Sequence, residues 1–246
     1  MVRYLILDTE TNGNRARPKL GEPPARPCDY PLPWADYPIQ ISIDAVEYGE
    51  ITHLYDTLVK GATQLSPWVR ENVPITLESL ADGKGFAQVI REVAALIQDG
   101  DCIVAHNRAY DIEQVILKYA RIELSLDMPE LKRITSAAPL CTLRCPYTQT
   151  ALPYGGRKLH HLCEHFGVTL EGAHDARADT HALAECVAEA WRRGVMLPEF
   201  AAPEDRPKLK RKVSPAALCG ATEPAADQTP EPAADQTPEP AADPTP

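Results

Sequence analysis

The sequence predicts an α/β fold built on a sheet of mixed strand direction. Three apolar or alternating stretches near the N-terminus are joined by short polar connections, as in an antiparallel meander. Further along, apolar residues recur at helical spacing and helices alternate with short buried strands, which adds parallel neighbours to the meander. With 246 residues, 44% of them apolar, the chain can bury a sizeable core.

The elements follow in order. Residues 2–7 and 39–47 and the stretch THLYDTLV read as the three meander strands, with a tight connection from Glu47 to Glu50. Ser66 before Pro67 marks a helix start for PWVRENV, the serine as N-cap and the proline at the first position. FAQVIREVAALI is amphipathic, CIVAH is a short buried strand, and NRAYDIEQVILKYARI is a second amphipathic helix. A further strand precedes RKLHHLCEHFG, a helix closed by Gly167, and the last helix spans roughly residues 175–193. Residues 14–38 interrupt this rhythm with seven prolines between the first two strands. Long irregular loops in compact domains are often functional, so this insert is expected to flank a substrate path, with Trp34 either pinning it to the body or offering a stacking platform.

The C-terminal end is a repeat, EPAADQTP, EPAADQTP, EPAADPTP, over residues 223–246. Proline, small residues and evenly spaced acids bury too little apolar surface to offset ordering entropy, so this tail is expected to be disordered. The folded domain is therefore placed at residues 1–200 and a basic linker at 201–222, whose RPKLKRKV reads as a solvated connection, a nucleic-acid contact or, in a eukaryotic host, a nuclear import signal. No signal-peptide pattern opens the chain and no run approaches the roughly 18 apolar residues of a membrane span, so no membrane association and a cytoplasmic location (nuclear only in a eukaryotic host) are expected. Seven cysteines without a CxxC pair argue against a disulfide framework. Cys141, Cys145, Cys163 and His165 lack the tight paired spacing of zinc ligands. Residues 1–200 carry 20 Lys/Arg against 27 Asp/Glu, an acidic balance that disfavours phosphate binding unless bound cations offset it.

The chemistry concentrates in acids at three places. Asp8 and Glu10 close the first strand in YLILDTETNG, two positions apart and so on one face, with Thr9 on the other. At about 5 Å and an effective dielectric near 20 two such charges repel by roughly 3 kcal/mol, so a cation or solvent must lie between them. In IVAHNRAYD a buried strand ends at His106 and Asp111 falls in the early turns of the next helix, either facing the first pair across the sheet edge or merely complementing the helix dipole. In AHDARADTHALAE, Asp175 is placed as the N-cap of the last helix and Asp179 one turn inside it. His174 either overhangs the same edge or is an ordinary surface or core histidine.

Asp8-x-Glu10 ending the first strand, Asn107-x-x-x-Asp111 after Ala105-His106, and His174-x-x-x-x-Asp179 opening the last helix resemble the three motifs of the DEDDh 3′→5′ exonucleases, among them proofreading polymerase subunits and RNase T. PIQIS and FGVTLEGAHDARAD resemble the family's second strand and its approach to the third motif, so the likeness covers residues 1 to about 195. Asn12 and Tyr110 stand where many members carry Thr and Phe, and the proline-rich insert is absent from the smallest members.

The resemblance implies an RNase H-like fold, a mixed five-stranded sheet flanked by helices. It also implies two Mg²⁺ (or Mn²⁺) ions held by Asp8, Glu10, Asp111 and Asp179, with His174 taking a proton from the attacking water. Thr9, Thr11, Asn107 and Tyr110 are the expected contacts to a terminal nucleotide, and Arg108, Arg157 and Lys158 are weaker candidates for strand contacts. The expected substrate is a single-stranded 3′ end, DNA in proofreading or repair before RNA. Two other classes fit parts of the sequence: a nucleic-acid clamp recruiting a polymerase or other protein through its tail, and a carboxylate-pair glycosidase, which would need neither metal nor the further acids.

Overall fold

The structure, a computed structural model, describes residues 2–13, 36–124, 129–152 and 157–195. Most of the proline-rich insert with Trp34, the basic linker and the repeat tail lie outside the described residues.

The meander is present as β1 (Tyr4–Thr11), β2 (Pro38–Glu47) and β3 (Glu50–Lys60), antiparallel throughout. Tyr48 and Gly49 alone link β2 to β3, both at positive φ, as a two-residue hairpin turn requires. Two short helices follow, α1 (Pro67–Asn72), capped by the Ser66 side chain, and α2 (Leu77–Ala81), whose Thr76 and Ser79 cap each other. Next come β4 (Lys84–Gly85), α3 (Phe86–Leu96) and β5 (Cys102–Ala105). The chain closes with α5 (Pro129–Ser136), β6 (Ala138–Cys141), α6 (Pro146–Ala151), α7 (Leu159–Phe166) and α8 (Ala176–Arg192); α4 (Leu117–Glu123) precedes α5. The sheet order is β4-β3-β2-β1-β5-β6, with β5 parallel to β1, β6 parallel to β5, and β4 parallel to β3. The sixth strand beyond the expected five is β4, a two-residue edge pairing too short to leave a sequence pattern.

The helix expected over residues 107–122 begins differently. Ala109–Ile116 is π-helical, with the Leu117 N–H reaching the Ile112 carbonyl, and only then continues as α4. Its buried residues recur in pairs four apart, at Asp111 and Ile112, Val115 and Ile116, Tyr119 and Ala120. A repeat of four is longer than the 3.6 residues of an α-turn, so an underwound helix is what keeps all three pairs on one face.

Side chains alternate across β1 and divide the core in two. Leu5 and Leu7 join α3, the π-helical segment and α5 on one side, whereas Tyr4 and Ile6 join α7 and α8 on the other. Asp8 and Glu10 continue the Tyr4–Ile6 side, so β1 delivers its acids beneath α8.

Candidate active site

Helix α8 is fixed against the strand partners of the two acids. In the β1–β2 register Asp8 opposes Ser42 and Glu10 opposes Gln40. Gln40 Oε1 accepts the Ala176 N–H at 3.1 Å, and Thr180 Oγ1 donates to the Ser42 carbonyl at 3.4 Å. Asp175 is the N-cap, as expected, accepting the N–H groups of Arg177 and Ala178. Ala176, Ala182, Ala184 and Ala188 are buried and small, which lets the helix axis approach the sheet. This docking leaves Asp179 on the face turned to Glu10.

His174 lies just before that cap with φ +71°, a conformation that costs a non-glycine residue on the order of 1–3 kcal/mol. It places the His174 N–H on Asp179 Oδ2 at 3.2 Å. Ligand atoms of Glu10, His174 and Asp179 all lie within 4.8 Å of one another, and among the described residues no other trio of His, Cys, Asp or Glu converges this closely. The imidazole packs edge-on against Trp68 of α1, ring centroids 4.9 Å apart at 82°. No signal in the sequence pointed to Trp68.

Asp111 enters from the opposite face. Thr9, pointing away from Asp8 and Glu10, donates its hydroxyl to Asp111 Oδ1 at 2.8 Å, and both residues are buried. Thr9 therefore spends its hydroxyl on positioning an acid, so that a nucleotide contact would fall to its backbone. Thr11 and Tyr110 share a hydrogen bond of 3.0 Å, and the Tyr110 hydroxyl also lies 3.5 Å from Asp36. Asn107 accepts the Tyr110 and Asp111 N–H groups through its main chain; its side chain is exposed. Arg108 pairs with Glu113 at 2.8 Å. His106, half-buried between Thr142 and the Arg157 carbonyl, has its pKa pushed down to about 4 by desolvation and stays neutral as a structural tie.

Burial raises the pKa of all four acids, and for Asp8, Glu10 and Asp111 the charges of neighbouring acids add to it. Asp8 is held well above the usual carboxylate range, first by burial and then by the charges of Asp111, Asp179, Glu10 and Asp175. Glu10 is pushed up to about 8 by burial, with Asp179 and Asp111 adding to it. Asp111 is pushed up to about 7 by burial against the opposing hydrogen bond from Thr9. Asp179 is raised by burial, partly offset by the His174 N–H. A divalent cation bound among these acids would offset their repulsion and favour the ionised forms.

One atom carries the same message. Asp179 Oδ1 is buried and has no hydrogen-bond partner. Buried carboxylate oxygens are rarely left unpaired, and hard divalent ions take such oxygens as ligands, so the residues present fit the metal ions that the resemblance implies. The cysteines considered for zinc do not converge: Cys145 bonds Thr142 and Thr148, Cys163 lies against Cys186, and His165 bonds Tyr147.

This fold and this set of acids define a nuclease-type α/β domain, and comparison with known proteins places it further. A family profile described as "Exonuclease" matches residues 5–187, and the chain belongs to that family. Curated relatives include the 3′-5′ exonuclease DinG of Staphylococcus saprophyticus, 24% identical over 195 residues, and that of Staphylococcus aureus, 25% identical over 199 residues. These alignments take in 79% and 80% of this chain but only 19% of each relative's length. Among solved structures, the nuclease domain of 3′hExo, a DEDDh family member bound to rAMP, aligns with a TM-score of 0.57 at 18% identity, covering 79% of this chain and 94% of that one. The zinc-bound Escherichia coli ExoI–ssDNA complex aligns at 0.56 and 18%, covering 78% and 41%, and Exonuclease X with 5′ overhanging duplex DNA at 0.53 and 18%, covering 84% and 97%. These likenesses identify the RNase H-like fold. No helix among the described residues is long and apolar enough to cross a membrane.

Proposed function

We propose that this chain is a metal-dependent 3′→5′ exonuclease that removes nucleotides from single-stranded 3′ ends, DNA before RNA. The observation that carries the reading is the meeting of Glu10, His174 and Asp179 within 4.8 Å, together with an unpartnered buried oxygen on Asp179. Asp8, Glu10, Asp111 and Asp179 would hold two Mg²⁺ or Mn²⁺ ions. When bound, these supply positive charge to the attacking and leaving oxygens of the phosphodiester.

The chain's own residues do the rest. His174 takes the proton from the attacking water, its main chain tied to Asp179 so that base and acid move together. Beside β1, Asn12, Gly13, Ser66, Arg70 and Leu77 line a cleft of about 650 Å³ that suits a nucleotide, with Arg70 available to a phosphate. Trp68, half exposed at the start of α1, offers a face to a base. The preference for DNA rests on relatives whose solved complexes hold ssDNA or duplex DNA, and RNA stands second because the 3′hExo domain was solved with rAMP.

Matched DNA and RNA oligonucleotides labelled at the 3′ end test the reading. Mononucleotide release should require Mg²⁺ or Mn²⁺, stop with chelator, and vanish in Asp8→Ala and Asp179→Ala. Release that persists in either variant, or with chelator present, refutes the assignment.

A further inference from the structure

A second group of metal-type ligands lies outside the acid cluster, under the first turns of α8. Asp44 of β2 is almost fully buried, and both of its oxygens are engaged by imidazoles: Oδ1 lies 2.8 Å from His53 Nδ1 and Oδ2 lies 3.1 Å from His181 Nδ1. His181 Nε2 is in turn 4.0 Å from Glu185, one helical turn further along α8. The two histidines are partly exposed and, with Asp44, Asp175, Arg177 and Ala178, line an open cleft of about 390 Å³.

The local fold puts His53 there by an irregularity. The β2–β3 register pairs Ile43 with Tyr55 but Asp44 with His53, leaving Leu54 as the extra residue of a bulge. Leu54 and Tyr55 both pack on the α3 side of the sheet. By strict alternation His53 would share the face of Tyr55; the bulge turns it to the opposite face, beside Asp44 and α8.

We propose that Asp44, His53 and His181 form a site for a zinc-type transition-metal ion, with Glu185 able to complete it. Imidazole nitrogens suit Zn²⁺, Ni²⁺ and Co²⁺ rather than Mg²⁺, which separates this site from the oxygen-only acid set of Asp8, Glu10, Asp111 and Asp179. The imidazoles now address opposite oxygens of one carboxylate. Binding requires side-chain rotation that brings both nitrogens to one ion, and a neutral imidazole that binds through Nδ1 carries its one proton on Nε2. A bound ion would tie β2 and β3 to the helix that carries Asp179.

Equilibrium dialysis of the full chain against Zn²⁺ in excess Mg²⁺, with wild type, His53→Ala, His181→Ala and the double variant side by side, tests this. Wild type should retain one more equivalent of zinc than each variant, and zinc should raise the melting temperature of wild type more than that of the variants. Co²⁺ offers a second readout, a visible d–d band of a tetrahedral site that the double variant loses. His53→Ala should leave the Mg²⁺-dependent activity unchanged. Equal zinc retention in wild type and the double variant, or retention that excess Mg²⁺ removes from wild type, overturns the proposal.

Discussion

Glu10 carries its charge at a cost in the metal-free chain, and the cost depends on pH in a defined direction. Its folded pKa, about 8, lies above its ordinary 4.5, so the native state holds the proton more tightly than the unfolded state does. The contribution of this group to stability is complete below about pH 4.5 and is lost as pH rises through about 8. Glu10→Gln should therefore melt higher than wild type in chelator, by a margin that is near zero at the acid end and grows up to pH 8, while exonuclease activity is lost. A margin independent of pH would contradict the shift. Thr9 acts one step further out. Thr9→Val removes the hydroxyl that holds Asp111 and should lower activity about 10–100-fold, with a higher Mg²⁺ requirement, since partners of metal ligands typically count for that much. Unchanged Mg²⁺ dependence in this variant would mean that Asp111 is positioned by other groups.

The elements bring the site together through their ends. The Ser66 N–H bonds the Asn12 carbonyl at 2.9 Å, and this joins the start of α1, with Trp68, to the end of β1. Gly13 makes that junction possible: its φ is +138°, and a Cβ there would stand 2.6 Å from the Ser66 Cβ. Gly13→Ala should destabilise the chain by about 1–3 kcal/mol in urea unfolding. A wild-type midpoint would show that this junction yields without strain. The motif acids at the end of β1, the N-cap Asp175 and the glycine stop of α7 were legible in the sequence because each depends on local chemistry. The repeat of four in residues 111–120 was present in the sequence too, although it reads as an ordinary amphipathic helix unless the period is measured against 3.6. Trp68 left no trace there, because its place beside His174 is set by contacts between residues far apart in the chain.

Across the molecule, the four acids and the apolar clusters on either side of the sheet are all built from described residues before 196. A chain truncated after residue 200 should fold with the same melting temperature and retain its activity on short single strands. Loss of folding would place part of the core in the linker or tail, and loss of activity alone would assign substrate contacts to the basic residues 206–212. The alignments with the DinG relatives cover about a fifth of each relative's length.

The sequence by itself indicated the meander, the main helices and the acids and histidine as candidates, because hydrophobic period, capping residues and motif spacing act over a few residues. Only the tertiary structure decided that Glu10, His174 and Asp179 meet, that Thr9 serves Asp111 from the far face of the sheet, and that a bulge turns His53 to Asp44. Those outcomes depend on strand register and on where α8 rests against β2. Both are fixed by packing between distant segments, which no local pattern encodes.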